Sequence, residues 1–235
     1  MERATISLTF GFRICVVLSV LGCAAPLVHA AKKTERDLTR LKPAEFAQLR
    51  EANAVIDPAH FDQALLAAAI FHETNNWRAK LGLRPFRHSP ELDTAADVQV
   101  TYGSLMTEIG HTNFMPGQRT AMDRVQKVGL IPGTVAENVA LTPLLDADDD
   151  TVIGLLGEGE ARRYIDAATG RELKAHTYAT FAKRVLAQWM NSPHHRENIV
   201  DRDLKFLGCS ARSTRDIGGS VGLYAVQEFF SAATF

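Results

Sequence analysis

The chain has 235 residues, nearly half of them hydrophobic, three cysteines and a net charge of −1. That is apolar material enough for a full core, which excludes disorder over most of the length. The balanced charge leaves no electrostatic footprint for nucleic acid or for an anionic membrane surface.

At the N-terminus, Arg3 and Arg13 come before an apolar run from Ile14 to Leu27, and the small-residue stretch Val28-His29-Ala30 follows. Positive, apolar and small regions in that order predict a signal peptide over residues 1–30, cleaved after Ala30, with no membrane span left in the mature chain. An uncleaved anchor and a lipoprotein are the alternatives: Val20-Leu21-Gly22-Cys23 resembles a lipobox, in which Cys23 would be lipidated. Cys15 and Cys23 lie in this leader, which leaves Cys209 alone in the remainder. No internal disulfide can form there, so the fold must rest on its core.

Residues 31–60 are rich in charge and read as a solvated spacer with partial helix. The domain is expected over 61–235. Phe61, Leu65, Leu66, Ile70, Trp77 and Leu81 fall mainly at helical spacing, with Gly82 as the stop. Ser89-Pro90-Glu91 then supplies a capping hydroxyl, a proline suited to the first helical position and an acid at the positive end of the dipole. The stripe Leu92, Ala95, Gln99, Tyr102, Met106 carries this second helix towards Gly110. Met122, Val125 and Val128 mark a third helix closed by Gly129. A fourth runs from Thr177 to Met190 until Ser192-Pro193 breaks it.

Strand signals come late. Phe206–Arg212 and Val221–Phe229 are joined through Ile217-Gly218-Gly219-Ser220 and predict an antiparallel hairpin, with Val135–Ala140 as a candidate third strand. Helices followed by strands read as α+β. Residues 141–176 differ in character and are expected to be an insertion outside the core. Asp146, Asp148, Asp149 and Asp150 begin like a calcium loop, but Thr151 and Gly157 occupy positions that need glycine and glutamate. A small hairpin turned at Thr169-Gly170 is expected beyond them.

Three segments carry possible chemistry: Gly110-His111, Ala136-Glu137-Asn138-Val139-Ala140, and Trp189-Met190-Asn191-Ser192-Pro193-His194-His195-Arg196-Glu197-Asn198-Ile199. Ser192 and Pro193 can start a new short helix that places His195 in its first turn, where the dipole disfavours a protonated ring. A neutral imidazole there is available as a base or a metal ligand. With Asn75-Asn76-Trp77-Arg78 upstream and Leu207-Gly208-Cys209 and Val226-Gln227-Glu228-Phe229 downstream, these segments resemble in order the motifs of the CAP (SCP-like) superfamily, bacterial branch. That group includes cysteine-rich secretory proteins, antigen 5 and pathogenesis-related 1 proteins.

The resemblance implies an α-β-α sandwich around a small antiparallel sheet, and a cleft built from His111, Glu137 and His195. The two histidines are then the candidate metal ligands, with Zn2+ as the candidate ion. The family's second glutamate would stand three residues after Trp189, where this chain has Ser192; Glu108 and Glu197 are the acids that could replace it. Trp189 reads as core, Asn138 and Arg196 as residues that fix backbone and loops, and His194 as solvent-facing. His72, His88 and His176 read as surface or boundary residues.

The reading this supports is a secreted or periplasmic binding module for a small ligand or a cell-envelope component. A metal-assisted hydrolase or protease, with Glu137 as candidate catalytic residue, is the second reading. A structural cell-envelope protein with a vestigial cleft is the third.

Overall fold

The segment Gly222–Ala232 is buried on both faces from Gly222 to Phe230, and the rest of the chain is arranged to cover it. The computed structural model describes residues 37–58, 60–106, 109–148, 150–157, 163–214 and 221–233. The leader, Cys15, Cys23, Glu108, Asp149 and the 217–220 turn lie outside them. The helices are α1 (Pro43–Ala47), α2 (Gln63–Lys80), α3 (Pro90–Leu105), α4 (Ala121–Lys127), α5 (Tyr178–Asn191) and α6 (Pro193–Val200). The strands are β1 (Arg87–His88), β2 (Pro132–Pro143), β3 (Ile153–Leu156), β4 (Arg163–Asp166), β5 (Glu172–Leu173), β6 (Phe206–Ser213) and β7 (Gly222–Ala232).

The main sheet runs β1-β6-β7-β2, antiparallel except for the short β1, which lies parallel to β6. Side chains alternate across β7. Leu223, Ala225 and Phe229 join the core under α2 and α5, while Tyr224, Val226 and Phe230 join smaller clusters under α3 and α4. Helices therefore cover both faces, and the α+β, α-β-α sandwich expected from the sequence is the fold observed. Among the described residues no helix is long and apolar enough to cross a membrane.

Local chemistry sets the helix limits. Asp62 accepts from the Leu65 amide at 3.0 Å to start α2, and Gly82, at φ 67°, ends it. Ser89 accepts from Leu92 at 3.4 Å to start α3. That helix stops at Leu105, short of Gly110, whose carbonyl is held from the core: Gln99 Nε2 donates to it at 2.6 Å and the Tyr224 hydroxyl at 3.1 Å. At the start of α6 the Ser192 hydroxyl makes no capping bond, so the break rests on Pro193 and on the extended backbone of Ser192.

Two expected boundaries move. From Asp37 onward the charged stretch is part of the folded unit rather than a spacer, because its apolar residues point inward: Phe46, Ala52 and Ile56 are core. His72, expected near the surface, is buried beneath it, stacked on Phe46 with ring centroids 4.5 Å apart and bonded to the Leu38 carbonyl at 2.9 Å. Residues 141–176 also do not all lie outside the core: strand β2 runs to Pro143, Leu144, Leu145, Leu173 and His176 are buried, and β3, β4 and β5 form a second sheet of their own. Its hairpin turns at Thr169-Gly170 as expected, with Gly170 at φ 71°.

His176, expected at the surface or a boundary, is buried where that segment rejoins the core. Its amide donates to Leu144 and its carbonyl accepts from Ile56, both at 2.9 Å, and its Nε2 is buried with no partner among the described residues. Burial holds its pKa below the ordinary value, as it does for His72, and Asp146 at 3.8 Å only partly opposes this. A base whose folded pKa lies below its unfolded value, about 6.5, gives stability that is present above that pH and lost as pH falls through the folded value. As pH falls below about 6.5, urea unfolding of His176→Leu is therefore expected to show a shallower loss of stability than the parent. An unchanged slope would show that the ring is not held neutral.

Candidate functional site

Three elements bring the cleft together at the edge strand β2. His111 stands on the loop between α3 and α4, and that loop is pinned from below. Besides the two bonds to Gly110, fully buried Asn113 donates to Gln99 Oε1 at 3.0 Å and accepts from the Met115 amide at 3.1 Å. The His111 side chain is 56% exposed, and its Nδ1 lies 2.8 Å from Oε1 of Glu137, a side chain only 2% exposed. A carboxylate can only accept, so Nδ1 donates, and in the neutral ring the lone pair then lies on Nε2. Glu137 raises the pKa of His111 by this hydrogen bond, more than burial lowers it.

His195 arrives from the opposite side. Helix α6 is tied to β2 through Asn138 Nδ2, which donates to the His195 carbonyl at 3.0 Å, and through Asn198, which donates to Asn138 Oδ1 at 2.8 Å. The far end of α6 is held by Arg78, buried against Phe86, whose guanidinium donates to the Ile199 and Asp201 carbonyls at 2.7 and 2.8 Å. The ring of His195 stands 6.3 Å from that of His111, centroid to centroid. Burial, then the neighbouring His111 and His194, lower its pKa. One imidazole is thus biased towards the charged form and its neighbour towards the neutral form.

The structure thus brings together His111, Glu137 and His195, and it also shows how Glu137 is spent. Its second oxygen, Oε2, accepts from Nη2 of fully buried Arg124, so both oxygens are engaged. Glu197 does not supply the missing acid: it is 75% exposed and pairs with the solvent-facing His194 at 4.0 Å. The second buried acid is Glu228 on β7, set directly opposite Glu137 in the sheet register and bonded to Arg124 Nε at 3.2 Å. Sequence reasoning missed both Arg124 and Glu228. The available signal was a charge inside an otherwise apolar helix stripe and another inside a strand apolar on both faces.

Beside His111 opens a cavity of about 360 Å³ lined by Tyr102, Met106, Ile109, Phe114 and Tyr224 among others. Phe114 is 78% exposed at its rim, edge-on to Tyr102 at 6.2 Å. Trp189 is core, as expected, and Asn138 is a framework residue.

The family model described as "CAP: Cysteine-rich secretory protein family" matches residues 71–229, a span that contains all of these residues. The chain belongs to this family. No curated protein matches the CAP chain. Among solved structures it is similar to an extracellular protein containing an SCP domain from Bacillus anthracis, at 19% identity and a TM-score of 0.44, covering 72% of this chain and 41% of that one. It is also similar to an outer surface protein of Borrelia burgdorferi, at 18% identity and a TM-score of 0.46, covering 77% and 99%. A cysteine-rich secretory protein of Staphylococcus aureus is similar at 15% identity and a TM-score of 0.42, covering 72% and 39%. The CAP chain thus spans about two fifths of the Bacillus and Staphylococcus proteins and nearly all of the Borrelia one.

Proposed function

We propose that this CAP domain is an exported binding module whose ligand enters the cavity beside His111 and is met by the His111–His195 pair. The observation that carries the reading is the pairing itself: two imidazoles stand 6.3 Å apart, and one of them, His111, both lines the cavity and is anchored through Nδ1 by a buried carboxylate. Among the described residues neither ring hydrogen-bonds to a serine, threonine or cysteine, so no activated nucleophile accompanies them. The leader motif fits export to the periplasm or beyond, or lipid anchoring through Cys23. A small molecule or a cell-envelope component then fits as the ligand.

Zinc fits the donor set as an open site. His111 and His195 offer borderline nitrogen donors, and Glu137 behind His111 is the carboxylate that commonly orients a ligating imidazole. No group of three or more His, Cys, Asp or Glu side chains able to hold a metal occurs among the described residues. A bound zinc would supply Lewis acidity and an exchangeable position. The second reading, a hydrolase, is favoured by the opposed pKa shifts of the two histidines, an arrangement suited to an acid and a base. In it the free nitrogen of a histidine acts on water and Glu137 holds the ring.

Isothermal titration with zinc is expected to show roughly one site near neutral pH. The site should be lost in His111→Ala and in His195→Ala while far-UV circular dichroism stays native. Protons compete for the same nitrogens, so binding should weaken as pH falls, and the raised pKa of His111 starts that competition above the ordinary value of about 6.5. Zinc binding by the double variant equal to that of the parent would remove the assignment.

A further inference from the structure

Strand register sets Glu137 of β2 opposite Glu228 of β7, on the sheet face covered by α3 and α4. The guanidinium of Arg124, from α4, bridges them: Nε to Glu228 Oε1 at 3.2 Å and Nη2 to Glu137 Oε2. Its remaining nitrogen, Nη1, points at the Gln118 and Arg119 carbonyls at 3.4 and 3.5 Å, the turn that leads into α4. Every nitrogen of this fully buried cation therefore has a destination, and two of the three lie on facing strands.

Two carboxylates around one guanidinium would leave a surplus negative charge in a place without water, which is costly. Burial, and then the facing Glu137, push the pKa of Glu228 well above the carboxylate range. Among the described residues its second oxygen accepts from no donor, which costs a neutral acid less than an anion. The surplus charge is thus removed at Glu228, while Glu137 Oε1 accepts from His111 Nδ1.

We propose that Glu228 is a positioning residue for the His111 cleft, acting through Arg124 and Glu137. By holding the Nε edge of Arg124, it turns Nη2 onto Glu137 Oε2. That leaves only Oε1 to receive His111 Nδ1, and the ring is confined to the tautomer whose Nε2 lone pair is free. The chain of contacts rests on the reading of His111 as a ligand-binding side chain only for its purpose, not for its geometry.

The test reads the His111 tautomer from ring nitrogen shifts in metal-free protein, at a pH where the ring is neutral, with zinc affinity measured separately. Glu228→Gln, a neutral side chain of the same shape, is expected to keep the single Nδ1–H tautomer and parental zinc affinity. Glu228→Leu is expected to mix the tautomers and weaken zinc roughly 10-fold or more, as loss of an outer partner of a ligating histidine does. Arg124→Lys, a point charge that cannot bridge both acids, should mix the tautomers too, and serves if the leucine variant does not fold. A folded Glu228→Leu or Arg124→Lys with the parental tautomer would overturn the proposal. So would Glu228→Gln behaving like Glu228→Leu, which would make charge rather than position the operative property. A parent that binds no zinc yet shows one tautomer would retire the metal reading and leave this proposal standing.

Discussion

Gly208→Ala is expected to destabilise the protein by about 3 kcal/mol, lowering the thermal midpoint by roughly 6–12 °C. Gly208 lies where β6 passes under the first turn of α3, and a Cβ there would fall far under 3.0 Å from the Leu92 carbonyl carbon and the Asp93 nitrogen. Both are backbone, so neither can rotate away. The helix cannot simply lift, because Asp93 is bonded on both sides: Oδ1 accepts from the Cys209 amide at 2.8 Å and Oδ2 meets His88 Nε2 at 2.6 Å. The control is Gly82→Ala, where φ is 67° and an added Cβ meets nothing within 4 Å. Only the left-handed backbone is then strained, at about 1 kcal/mol. Differential scanning calorimetry of the two variants should separate them clearly, and equal midpoints would show that α3 and β6 can part at little cost.

Arg124→Met is expected to cost about 3–5 kcal/mol at neutral pH, because it leaves Glu137 without its cation in a dry sheet face, opposite the already neutral Glu228. The pH dependence identifies the cause. In the variant the folded protein must hold Glu137 protonated as well, so its folded pKa there lies above the unfolded value of about 4.3. The penalty is therefore absent below that pH and grows as pH rises through it. Urea unfolding from pH 4 upward should show the variant falling away from the parent. A constant difference across that range would mean that lost packing, not stranded charge, is responsible.

Much of the architecture was legible because it rests on local signals. Ser89-Pro90 starts α3, Gly82 and Gly129 end helices with positive φ, and Ser192-Pro193 separates α5 from α6, all as the residue types require. The hairpin partners β6 and β7 and the strand around Glu137 follow from apolar runs bounded by turn residues. The N-terminal segment misled for a physical reason: its charges lie on an exposed face and hide the spacing of Leu38, Phe46, Ala52 and Ile56, which pack inward. Of the site, His111, Glu137 and His195 were reached through motif resemblance. Arg124 and Glu228 were not, because their pairing depends on which residue of β2 faces which residue of β7, and long-range register is not written in either strand alone.

The buried amides behind the cleft have a consequence for assembly of the sheet. Asn138 donates to Gln227 Oε1 at 3.0 Å, and Gln227 donates to Thr74 Oγ1 on α2 at 2.7 Å, all three being fully buried. A slip of β2 against β7 by one residue would turn Asn138 to the α3 face and Glu137 to the α2 face. A slip by two keeps the faces but sets Gln227 opposite Ala136 or Ala140, and Glu228 opposite Val135 or Val139. Each misalignment strands buried polar groups at about 1–3 kcal/mol apiece. The same residues that hold the cleft thereby discriminate against mispaired sheets, and only the correctly aligned sheet can present His111 to His195.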